Sequence, residues 1–167
     1  MKTKVTVLCL AAVFLMALVA QGQAPKPKVD MQKVADKIIK TINSADPVAL
    51  ANLYAPDAVM IQADTSEPVR GRDALLKYYA AIFKCMPDYK VKWTLVAYHG
   101  DTIIFEGVSS GTFTGPMETP EGVIQPNGKK VNLKAAFFAK INADGMIAED
   151  RTYFDNYGYL KQLGLIK

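Results

Sequence analysis

Along residues 31–42, apolar side chains recur at Met31, Val34, Ala35, Ile38 and Ile42, with Lys33, Asp36, Lys37 and Lys40 on the opposite side. That spacing predicts an amphipathic helix, and Asp30 just ahead of it is placed as its N-cap. Asp46-Pro47 offers a cap followed by a proline at the first helical position, which predicts a short second helix running through Tyr54. Ala58 to Gln62 reads as a brief strand. A third helix, Arg72 to Met86, presents Leu75, Leu76, Tyr79, Ile82, Phe83 and Met86 as its buried stripe, and Pro87-Asp88 stops it.

From Val91 the helical spacing gives way to strict alternation. Val91, Trp93, Leu95 and Ala97 alternate with Lys92, Thr94, Val96 and Tyr98 as far as the turn His99-Gly100-Asp101. Further long strands are predicted over Thr102–Thr114, Val131–Ile141 and Met146 to about Tyr157. A loop rich in Pro, Gly and Glu precedes the third of the four, and the turn Asn142–Gly145 precedes the last. Strands joined largely by tight turns predict an antiparallel meander. Helices first and strands after predict an α+β domain with the helices on one face of the sheet.

The N-terminus has a different pattern. Lys2 and Lys4 precede an uncharged apolar run from Val5 to Ala20, and Ala20-Gln-Gly22 supplies small residues at cleavage spacing. This is the layout of a signal peptide over residues 1–22, so export to the periplasm or the exterior is expected. Residues 23–29 then read as a linker and 30–167 as one domain. The apolar run is only slightly short of the roughly 17–25 residues of a membrane span, so a retained anchor is the alternative. The small-residue cut site favours removal, after which no membrane attachment is expected.

Removing 22 residues from 167 leaves 145, enough for one well-filled core. Lys2 and Lys4 leave with the peptide, so 18 basic residues face 16 acidic ones and the net charge is about +2. So small and scattered a charge gives no reason to expect a nucleic-acid partner. Cys85 is then the only cysteine, which excludes an internal disulfide, and its position near the end of a helix suits a small buried hydrophobe. His99 is the only histidine, so neither a zinc site nor any other metal is expected.

The last strand carries the candidate chemistry. Alternation puts Ile147, Glu149, Arg151, Tyr153 and Asp155 on one face and Met146, Ala148, Asp150, Thr152 and Phe154 on the other. Arg151 can reach Glu149 or Asp155. Alternation alone leaves two readings open: a solvated face with a surface ion pair, or a polar patch inside a pocket with Asp155 as a titratable group.

An ordered set of short pieces bears on that choice: Pro87-Asp88, Gly100-Asp101, Gly111-Thr-Phe-Thr-Gly115, Pro126-Asn-Gly-Lys129, Asp144-Gly-Met-Ile-Ala-Glu149, Asp155 and Gln162-Leu-Gly164. Together they resemble the SnoaL-like polyketide cyclase and ester cyclase family of the nuclear transport factor 2-like superfamily. Tyr54-Ala-Pro-Asp57 and Gly71-Arg-Asp-Ala74 fit the superfamily. The resemblance implies a cone-shaped fold, with N-terminal helices packed on a curved, mainly antiparallel sheet of four to six strands that encloses a mostly apolar pocket. It also implies dimerisation through the outer sheet face.

For the site, it implies a cofactor-free and metal-free general acid/base at Asp155, with Tyr153 and Arg151 assisting. Trp93, Glu106, Phe113, Phe138 and Glu149 are the candidate substrate contacts. The chain departs from the cyclases at Phe113, where they carry a histidine, and in having no histidine over Val131–Ile141. It departs from ketosteroid isomerases at Gln62 and Ile38, which stand where those enzymes place a base and a tyrosine. Two functions therefore stay open. One is an exported cyclase or isomerase acting on a small carbonyl or ester compound; the other is a non-catalytic binder of a small hydrophobic molecule, or a dimeric interaction module.

Overall fold

The computed structural model describes residues 29–119 and 122–167, so the predicted signal peptide and most of the predicted linker lie outside the described residues. Helix α1 (Met31–Ile42) begins where the sequence places it: Asp30 accepts a hydrogen bond from the Lys33 N–H at 3.1 Å. Met31, Ala35, Ile38 and Ile42 form its buried stripe. Asp46 caps α2 (Pro47–Ala51) by accepting from the Val48 and Ala49 N–H groups.

This second helix stops three residues before Tyr54, where the prediction carried it. From Tyr54 the chain is strand β1 (Tyr54–Gln62). The sheet captures it there: the Ile147 N–H donates to the Leu53 carbonyl at 2.8 Å, and Tyr54 stands opposite Ile147. Strand β2 (Val69–Arg70) pairs with β1, and α3 (Arg72–Cys85) follows. Leu75, Tyr79, Phe83 and Cys85 are its buried positions, with Leu76 and Ile82 half-buried beside them.

The meander is present. Strands β3 (Lys90–His99) and β4 (Thr102–Thr112) form its first hairpin, with His99 exposed at the turn. Within the following loop lies a separate small hairpin of β5 (Met117–Thr119) and β6 (Gly122–Ile124). Strands β7 (Lys130–Ile141) and β8 (Ile147–Phe154) complete the meander. The order across the main sheet is β2-β1-β8-β7-β4-β3, antiparallel except for the β1–β8 pair. At Gly107 a Cβ would stand 2.1 Å from the Lys92 carbonyl oxygen, so β3 can approach β4 only because that residue has no side chain.

The last strand is shorter than predicted. It ends at Phe154, and α4 (Asn156–Leu163) follows, terminated by Gly164 at φ 73°. The main core fills the space between α1–α3 and the inner face of the sheet, with Ile38, Leu75, Tyr79, Phe105, Phe137 and Ile147 among its members. A satellite core of Cys85, Met86, Phe113, Val131 and Leu163 lies under α4. Among the described residues no helix is long and apolar enough to cross a membrane.

Candidate active site

The geometry of the site turns on one extra residue in β8. Opposite Lys140 and Ile141 of β7 stand Glu149 and Ile147, so Ala148 has no partner and forms a bulge. A bulge breaks strict alternation and re-aims the side chains beyond it. Ile147 and Asp150, three positions apart, are consequently both buried, at 1 % and 0 % exposure. Thr152 and Phe154 follow Asp150 toward the interior, while Arg151 and Tyr153 are exposed.

This corrects the predicted orientation of β8. Arg151 pairs with Glu149, Nη2 to Oε1 at 2.5 Å, on the outer face. Such a half-exposed pair contributes about 0–1 kcal/mol. Tyr153 is 54 % exposed and meets Phe138 edge-on, with ring centroids 6.0 Å apart. Asp155 lies beyond the strand as the N-cap of α4, where its exposed carboxylate accepts from the Gly158 N–H at 2.8 Å. That hydrogen bond occupies the group the sequence reading gave to acid/base work.

The proposed substrate contacts separate in the same way. Glu106 is exposed on the outer face, in a shallow groove with Val108, Lys134, Ala136 and Tyr153. Phe113 is fully buried in the satellite core, behind the cavity wall and not on it. Trp93 does line the cavity, stacked on Phe137 at 5.1 Å with its indole N–H donating to Ser109 Oγ at 3.2 Å. Gln62 and Ile38 line it too.

The cavity, about 100 Å³, is enclosed by Ile38 and Ile42 of α1, Leu50 of α2, Tyr78, Tyr79 and Ile82 of α3, the inner face of the sheet, and Tyr159 of α4. Its walls are mostly apolar and its floor is not. Tyr54 and Tyr79 both line it, their hydroxyl oxygens 2.5 Å apart, and the Tyr54 hydroxyl donates to Asp150 Oδ2 at 2.5 Å. Tyr79 also approaches the Met60 sulfur at 3.6 Å. Asp150 stands behind the two phenols, not on the cavity surface, and its Oδ1 has no hydrogen-bond partner among the described residues.

Burial governs the electrostatics. It pushes the Asp150 carboxyl up to about 7; the Tyr54 hydroxyl, which favours the anion, opposes this, and the negative charge of neighbouring Glu149 reinforces it. No basic group is among the influences on Asp150. Burial, with the negative charge of Asp150, also holds Tyr54 and Tyr79 well above the usual phenol range, so both remain protonated donors at neutral pH.

The chain of hydroxyls therefore has two arrangements. With Asp150 ionised, Tyr79 donates to Tyr54 and Tyr54 to Asp150. With Asp150 protonated, the direction can reverse, ending at the Met60 sulfur or at a cavity ligand in front of the phenols.

The sequence reading missed Asp150, Tyr54 and Tyr79 as a site. Alternation puts Asp150 on the face opposite the charged candidates, the cap at Asp46-Pro47 puts Tyr54 at a helix end, and helical spacing puts Tyr79 in a buried stripe. The one signal in the sequence is Ile147, an apolar residue that alternation grouped with three charges. Burying it requires either a charged interior or a bulge, and the chain takes the bulge.

Similarity to known proteins follows this architecture. The sequence profile described as SnoaL-like polyketide cyclase matches residues 32–163. Among solved structures, IdmH of Streptomyces antibioticus, a candidate polyketide cyclase, superposes with TM-score 0.63 at 25% identity, covering 81% of this chain and 99% of its own. A candidate SnoaL-like polyketide cyclase from Jannaschia gives TM-score 0.67 at 16% identity, covering 88% and 99%. A Catenulispora acidiphila protein with a ketosteroid isomerase-like fold, solved with trimethylamine, gives 0.65 at 19%, covering 79% and 92%. No curated protein matches the chain. With the profile spanning the first helix to the last, and with the helices, the six-stranded sheet and the cavity between them in place, the chain belongs to the SnoaL-like polyketide cyclase family.

Proposed function

We propose that this protein is a cofactor-free acid catalyst of the cyclase or isomerase type, acting on a small, largely apolar carbonyl or ester compound. The observation that carries this reading is the Asp150–Tyr54–Tyr79 chain at the floor of an apolar cavity. A carbonyl oxygen seated on the two phenols accepts hydrogen bonds that strengthen as negative charge develops on it. If Tyr54 passes its proton to that oxygen, Asp150 re-protonates Tyr54 and becomes the anion, while solvent removes the proton from the adjacent carbon. A carboxyl titrating near 7 is half protonated at neutral pH, the condition under which a general acid is most effective. The catalytic residues are then Tyr54 and Tyr79, with Asp150 as the proton reservoir acting through them.

A second reading, a non-catalytic pocket for a small hydrophobic molecule, is favoured by one observation: Asp150 does not itself reach the cavity surface. Both readings take the chain to act after export. Both also take it to work as a dimer through the outer sheet face, where Val108, Ala136, Phe138 and Tyr153 offer apolar surface.

Exchange of the α-protons of cyclohexanone in D2O, followed by NMR, separates the two. The catalytic reading expects exchange well above the buffer rate, falling about 100-fold in Tyr54→Phe and Asp150→Asn. Buffer-rate exchange in the wild-type protein would leave the binder reading.

A further inference from the structure

The cavity has a charge asymmetry that the proton chain does not use. Among the described residues lining it are five tyrosines, Trp93, Phe137, Phe154 and one carboxylate, Asp64, but no lysine, arginine or histidine. Asp64 sits at the mouth, exposed on one side and set against the tyrosines on the other. Burial against that wall raises its carboxyl above the ordinary range, and the neighbouring Tyr78 hydroxyl offsets only part of the effect. Behind the floor stands Asp150, fully buried and, among the described residues, without a basic partner and with one of its oxygens unpaired.

An anionic ligand entering this space would meet one carboxyl group at the mouth, with a second behind the floor, and, among the described residues lining it, no cation. A cationic ligand would meet a counter-charge at the mouth and aromatic rings along the walls. The faces of such rings carry negative electrostatic potential and attract an ammonium group. We propose that the ligand of this cavity is an amine, bound as its ammonium ion among Tyr78, Tyr89, Trp93 and Tyr159, with Asp64 as its counter-ion.

This rests on the cavity being the ligand site of the proposed function, and it adds the charge of the substrate. The compound is an amine-bearing carbonyl or ester, with its oxygen down on Tyr54 and Tyr79 and its nitrogen toward the mouth. A ring cage alone would accept neutral ligands equally well; the lone carboxylate with no competing lysine or arginine is what gives the site its sign.

Three probes of nearly the same shape test it: choline; neohexyl alcohol, which is choline with carbon in place of nitrogen; and tert-butylacetate. Trp93 is the only tryptophan in the chain and lies in the cavity wall, so its fluorescence reports occupancy without a label. The proposal expects saturable binding of choline at least about tenfold tighter than neohexyl alcohol, and none of tert-butylacetate. Asp64→Asn should bring choline to within about threefold of the alcohol while leaving the alcohol unchanged.

If the alcohol binds as well as choline, or the carboxylate binds better, the amine is overturned while the cavity stands as a binding site. Failure of all three probes to bind would overturn the amine, and the cyclohexanone exchange assay then decides separately whether the cavity is a ligand site. A choline preference that survives Asp64→Asn would remove Asp64 as the counter-ion and defeat the proposal as stated.

Discussion

Replacing Asp150 by asparagine should remove one component of the way pH acts on the stability of this fold. In the folded protein burial pushes the Asp150 carboxyl up to about 7, whereas in an unfolded chain an aspartate titrates near its ordinary 3.8. Between those values the folded state holds a proton that the unfolded state has lost, so stability falls as pH rises through the interval and levels off above the folded value. Each pH unit in the window is worth about 1.4 kcal/mol, so a shift of about three units amounts to roughly 4 kcal/mol. From about pH 5 to about pH 8 the loss from this one group is about 3 kcal/mol.

Asparagine keeps an oxygen to accept from Tyr54 and carries no charge at any pH. The variant has some fixed offset in stability, but it lacks the pH-dependent component. The assay is urea denaturation of both proteins across the range, reading the difference between them; every other titrating group cancels to first order. Asp150→Asn should gain on the wild-type protein by about 3 kcal/mol as pH rises from about 5 to about 8. A difference that stays flat within about 0.5 kcal/mol would mean that Asp150 is ordinarily ionised in the folded state, and the reasoning about its burial would fail.

Other perturbations bear on separate parts of the structure. Tyr54→Phe removes the one hydrogen bond that favours the Asp150 anion, so the carboxyl should titrate higher than in the wild-type protein, as the carbon NMR signal of labelled aspartate would show. Asp155→Ala should cost about 1 kcal/mol of stability through loss of the α4 cap and leave ketone proton exchange unchanged; an activity loss at full stability would instead restore Asp155 as a catalyst. Gly158→Ala would put a Cβ 2.2 Å from Asp155 Oδ2 and turn the cap side chain away, so the lost cap and the helix propensity that alanine adds should cancel to within about 1 kcal/mol. Arg151→Ala should change stability by less than about 1 kcal/mol, since its pairing with Glu149 is half-exposed.

How far the sequence could be read depended on whether the signal was local. Asp30 and Asp46-Pro47 fixed two helix starts because capping is decided by a few adjacent residues. The alternation in the four long strands was equally plain, and the meander followed from it. The face of β8 was another matter. The alternation from Glu149 on holds, with Arg151 and Tyr153 outside and Asp150, Thr152 and Phe154 toward the interior. Alternation does not say which face is inner, and the Ala148 bulge hides the clue by placing Ile147 inside with Asp150. The end of α2 was hidden for a related reason. Tyr54 is held in a strand by its parallel pairing with Ile147, a contact from the far end of the chain that no local propensity encodes. Trp93 was legible from the alternation of Val91, Trp93 and Leu95, which lies on the far side of the irregularity that β3 carries at Val96.

The central claim is that Asp150 holds a proton near neutrality behind two phenols that face a ligand. The most direct measurement is the titration of its carboxyl carbon by NMR, assigned by Asp150→Asn, in the free protein and with cyclohexanone in the cavity. The account predicts a midpoint near 7 in the free protein. It also predicts a move upward with the ketone bound, because the ligand oxygen competes for the Tyr54 hydroxyl and excludes water. A midpoint in the ordinary carboxylate range, or one near 7 that ignores the bound ketone, would contradict it.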